Sequence, residues 1–78
     1  MTNSIAIDMS LPPTARKVLN HLERRGSISN MEFLSTYGFR HLADCIYRIR
    51  ELGYDVLTER RKDEAGKPYV RYFRGWEV

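Results

Sequence analysis

The side chains able to do chemistry in this 78-residue sequence are mostly fixed charges, and they fall into two groups. Residues 60–74 carry Arg60, Arg61, Lys62, Lys67, Arg71 and Arg74 against only Asp63 and Glu64, a local balance of +4. Residues 1–38 carry four cations against three carboxylates, so the formal net charge of +3 is a local feature of the chain. A cluster of this kind suits a polyanion, because each Lys or Arg that meets a phosphate releases a condensed counterion. The second group is Arg40, His41, Asp44, Tyr47 and Arg48, most of them three, four or eight residues apart and so able to share one side of a helix. Arginine there can bridge guanine O6 and N7 or hold a phosphate, and a tyrosine ring can stack on a base.

Other chemistry is poorly supported. No paired carboxylates, Ser/His/Asp set or glycine-rich phosphate loop is present, and a chain this short has little room for a cleft, so an enzyme is not expected. Cys45 is the only cysteine, which rules out an internal disulfide. With His21 and His41 well apart it also leaves no four-ligand zinc set, so no metal and no cofactor are expected. No apolar run approaches the roughly 20 residues of a membrane span, and residues 1–11 lack a secretory leader. A cytoplasmic, soluble, single small domain is the expectation, with 42% hydrophobic residues to build its core.

The elements that must position these charges follow from periodicity. Ile5, Ile7 and Met9 alternate within an N-terminal arm, residues 1–12. After Pro12-Pro13, the apolar positions Ala15, Val18, Leu19 and Leu22 recur at helical spacing, with Gly26 as the stop, which predicts a helix over 13–25. Ser27-Ile28-Ser29 reads as a short extended link, and Ser29 to Glu32 spells the S-x-x-E capping box of a second helix. Met31, Phe33 and Leu34 are its expected buried side, and Gly38 its end. From Phe39 to Leu52, the residues Phe39, Leu42, Cys45, Ile46, Ile49 and Leu52 fall within an arc of about 140°. Arg40, Asp44, Tyr47, Arg48 and Glu51 take the opposite arc. The period then changes to two: residues 54–60 and 69–74 read as paired strands around a polar, unanchored tip at 61–68, and residues 75–78 as a tail whose Trp76 packs on the core.

Three helices followed by a hairpin is the plan of a winged helix-turn-helix. The segments Ile28-Ser29-Asn30-Met31-Glu32, Tyr37-Gly38-Phe39-Arg40-His41-Leu42 and Leu52-Gly53-Tyr54 resemble the small winged helix-turn-helix DNA-binding domains of phage and prophage regulatory proteins. The resemblance covers roughly residues 13–74. It implies an α+β, mainly α, domain that binds double-stranded DNA, with the third helix in the major groove and the hairpin wing on the backbone. On that reading the DNA-binding residues are Arg40, His41, Asp44, Tyr47, Arg48, Arg60, Arg61, Lys62, Lys67 and Arg71, with no catalytic residue. A homodimer or protein partner is a possible addition, because one helix reads only a few base pairs. Asp44 and Glu51 on the reading face favour the alternative, a winged-helix module that binds protein rather than DNA.

Overall fold

The structure, a computed structural model, describes residues 11–77. Helix α1 (Pro13–Arg25) opens on proline, whose missing N–H costs nothing in a first turn, and buries Ala15, Val18, Leu19 and Leu22 along one stripe. Gly26 ends it, its N–H donating to the Leu22 carbonyl at 2.8 Å. Leu11, read from sequence as part of the arm, is buried and belongs to the core; Ile5, Ile7 and Met9 lie outside the described residues.

The Ser27-Ile28-Ser29 link is a strand, β1 (Ser27–Ser29), and Ser29 caps helix α2 (Asn30–Tyr37) as the capping-box spelling predicts. The Glu32 N–H donates to Ser29 Oγ at 3.3 Å, and the Ser29 N–H donates to Glu32 Oε1 at 3.1 Å. Of the three apolar residues expected beneath α2, only Phe33 is buried; Met31 is 72% exposed and Leu34 also faces out. A helix of two turns that rests on one large ring has little face left to bury. Gly38, at φ 79°, provides the left-handed turn that side-chain-bearing residues disfavour.

Helix α3 (Leu42–Glu51) begins three residues later than the periodicity predicts. The reason is tertiary. Phe39 and His41 each lie 5.8 Å from the Phe33 ring and 5.6 Å from each other, a cluster that holds the linker in non-helical conformations. The expected burial pattern of the helix itself holds: Leu42, Cys45, Ile46 and Ile49 are in the core, while Asp44, Tyr47 and Arg48 are exposed. Burial pushes the Cys45 thiol above its ordinary range, as befits a packing residue rather than a nucleophile.

Strands β2 (Val56–Lys62) and β3 (Pro68–Arg74) make the hairpin, and β1 pairs with β3 to give an antiparallel sheet of order β1-β3-β2. Ile28 lies opposite Tyr72, and Thr58 opposite Tyr72 from the other side. Strand β2 starts two residues later than 54 and runs two residues past 60, and β3 starts at 68, so Arg61 and Lys62 are strand residues and not a loose tip. The remaining loop is tied down by Asp63, whose Oδ1 accepts from the N–H groups of Ala65 (2.9 Å) and Lys67 (2.8 Å). Trp76 folds back against Tyr54, ring centroids 5.0 Å apart, as expected of the tail.

One titratable group is tied to this packing. His21 Nδ1 shares a 2.9 Å hydrogen bond with the Tyr37 hydroxyl, bridging α1 to α2. Burial lowers the His21 pKa from its ordinary 6.5; Glu32 opposes this, and Arg25, Arg24 and Arg71 reinforce it. The folded state therefore prefers the neutral ring. Its contribution to stability is complete above about pH 6.5 and declines as the pH falls below that value. The thermal midpoint is expected to be lower at about pH 5.5 than at about pH 7.5, and His21→Gln to flatten that difference. An unchanged pH profile in the variant would remove His21 as its source.

Candidate nucleic-acid interface

On α3, Asp44, Tyr47, Arg48 and Glu51 stand at i, i+3, i+4 and i+7, a spacing that brings them onto one solvent-facing strip. Tyr47 is 61% exposed. The two carboxylates of this strip are not loose. Asp44 Oδ2 accepts from Arg48 Nε at 3.3 Å, and the neighbouring Glu51 carboxylate holds the Tyr47 phenol pKa above its ordinary value. An exposed pair such as Asp44–Arg48 adds only about 0.3–0.5 kcal/mol to folding, so its consequence is orientation more than stability. Arg40 and His41 precede the helix, in the linker. Both are exposed, with His41 also resting edge-on against Phe33 and Phe39.

The wing sorts its cations by strand alternation. Val56, Thr58, Arg60 and Lys62 share one side of β2, the side that faces the core at Val56. Arg61 points to the other side, where it pairs with Glu59 and lies over the Phe73 ring, 5.0 Å from its centroid. Among the described residues, Arg40, Arg60, Lys62 and Lys67 are exposed and their side chains make no hydrogen bond or ion pair with the rest of the chain. Arg71 differs from these. Its guanidinium is half-buried and donates to Ser27 Oγ (2.9 Å) and Glu32 Oε1 (3.1 Å), fastening β3 to β1 and to the α2 capping box. Arg74 likewise donates to the Glu23 carbonyl at 2.7 Å and closes the end of α1. Two of the six cations in the basic cluster, Arg71 and Arg74, thus hold parts of the fold together.

Arg50 is the residue that sequence reasoning passed over. Its Nε and Nη2 donate to the Val56 carbonyl (3.0 and 2.6 Å), and Nη2 also donates to Thr58 Oγ1 at 2.7 Å. It fixes the end of α3 to the side of β2 that carries Arg60 and Lys62. No local pattern marks this arginine, since its partners come from the next element.

Among the described residues no group of His, Cys, Asp or Glu could hold a metal ion, and no helix is long and apolar enough to cross a membrane. No curated protein and no solved structure matches the chain. Residues 13–74 match the family model of the winged helix-turn-helix domain, and because that match takes in all of the three helices, sheet and wing described above, the chain belongs to the winged helix-turn-helix domains, a DNA-binding class.

Proposed function

We propose that this domain binds double-stranded DNA sequence-specifically, as a small regulator of transcription or another DNA transaction, inside the cell and of the phage or prophage type it resembles. The observation that carries this reading is the Arg50 clamp, which ties the end of α3 to the side of β2 that carries the unpartnered wing cations Arg60 and Lys62. A helix strip of this spacing fits the major groove, while cations beside it meet the flanking phosphates. Arg40, in the linker, is suited to a phosphate at the groove edge. Lys67 adds to the wing's positive charge, His41 stands beside Arg40 in the linker, and Arg61 contributes less because Glu59 neutralises it.

Selection from random duplexes, with the mass of the complex measured in solution, tests this directly. An enriched motif, with binding that weakens steeply as salt rises, is expected, and a mass of one or two chains per site reports whether a homodimer forms. A second reading, docking of a protein partner, draws on the exposed Met31 and Leu57. Absence of salt-dependent binding to any duplex would favour it over the first, and an RNA competitor that outcompetes DNA would redirect the assignment to RNA.

A further inference from the structure

We infer that Arg48 is the residue of α3 that reads guanine and that Asp44 is its positioning residue. The inference rests on the DNA-binding reading and goes further, to the base recognised and the device that orients its reader. The argument begins with the arginine fork. Arg48 Nε is occupied by Asp44 Oδ2 at 3.3 Å, while its two terminal amino groups make no bond within the described residues. A guanidinium held at Nε and free at both ends presents two parallel N–H donors. Those donors match the paired O6 and N7 acceptors that guanine displays in the major groove.

Asp44 lies in the first turn of α3, and Arg48, four residues further on in the last turn, shares its exposed strip. Both side chains are about half exposed, at 57% and 50%, so the pair is open to a ligand. Arg40, the other arginine near this surface, lies in the linker outside the helix and has no partner to orient it. A flexible cation there serves a phosphate better than a base. The carboxylate of Asp44 also explains an otherwise costly feature, an acid on a face meant for DNA. Its charge is spent on aiming a reader, at the expense of general attraction to phosphate.

The test compares binding to the selected duplex, to the same duplex with one G·C pair replaced at each position in turn, and to random duplex. Wild-type protein is expected to discriminate at one guanine by roughly 5- to 150-fold, the range of a bidentate contact. Arg48→Lys keeps the charge and loses the fork, so it is expected to abolish that discrimination with little change on random duplex. Asp44→Ala is expected to reduce discrimination at the same guanine several-fold, while binding to random duplex stays equal or tightens because a negative charge is gone. In the Arg48→Lys background Asp44→Ala should have no further effect on base preference, since Asp44 acts through Arg48. Three results would overturn the inference while leaving the DNA reading intact: undiminished guanine preference in Asp44→Ala, undiminished preference in Arg48→Lys, or an Asp44 effect that persists without Arg48. If the wild-type protein binds no duplex, or binds all sequences equally, both the inference and the sequence-specific reading beneath it fail. Thermal unfolding of each variant, expected to match wild type because the pair is exposed, separates these outcomes from loss of fold.

Discussion

Phe33→Ala is expected to destabilise the domain by about 3–5 kcal/mol, the cost of removing a buried aromatic ring and leaving a cavity. Phe33 has no exposed surface and its ring meets Tyr37, Phe39 and His41, so the cavity opens between α2 and the linker that leads into α3. A chain of this length has a total stability of roughly 4–12 kcal/mol. The substitution therefore removes a large share of it, and a urea titration should show either a much earlier midpoint or no cooperative transition. Met31→Ala, two residues away on the same short helix, is expected to change stability by no more than about 0.5 kcal/mol because its side chain faces solvent. Equal losses from the two substitutions would contradict the packing described for α2.

The largest effect on binding is expected from the wing. Replacing Arg60, Lys62 and Lys67 together by alanine should weaken binding to every duplex by up to roughly 500-fold at about 0.1 M salt, and flatten the dependence of log affinity on log salt by up to about 2.7. These figures assume that each cation engages one phosphate. The three are exposed and unpartnered among the described residues, so nothing within the domain competes for them. Two controls sharpen the result. Arg61→Ala should do much less, because that guanidinium is paired with Glu59 and lies over Phe73. Arg71→Ala should lower thermal stability more than it changes the salt slope, because it unties Ser27 and Glu32. A triple variant with wild-type affinity and slope would mean that the hairpin is not a DNA wing.

The amino-acid sequence by itself determined the kinds of elements and their order. Apolar spacing in Ala15 to Leu22 and in Leu42 to Ile49, the Ser29–Glu32 capping box and the period-two run of the hairpin are local signals. Local hydrogen bonds and one-sided burial are enough to act on them. It also determined which side of α3 faces water, since helical geometry leaves an apolar arc no other use. Only the tertiary structure decided where α3 starts, because the Phe33–Phe39–His41 cluster overrides a pattern that would extend the helix to Phe39. It likewise decided which charges are available. Arg71 and Arg74 look identical to Arg60 and Lys62 in a count of cations, but their partners Ser27, Glu32 and Glu23 lie 39–51 residues away along the chain. No window on the sequence spans that distance. Arg61 and Arg60, adjacent in sequence, separate onto opposite faces once the β2 register is set, and Arg50 gains its role only when β2 passes beside α3. Charge is a property of the residue, whereas its freedom to meet a ligand is a property of the packing around it. That is why the charge of each residue could be read from sequence and the availability of each cation could not.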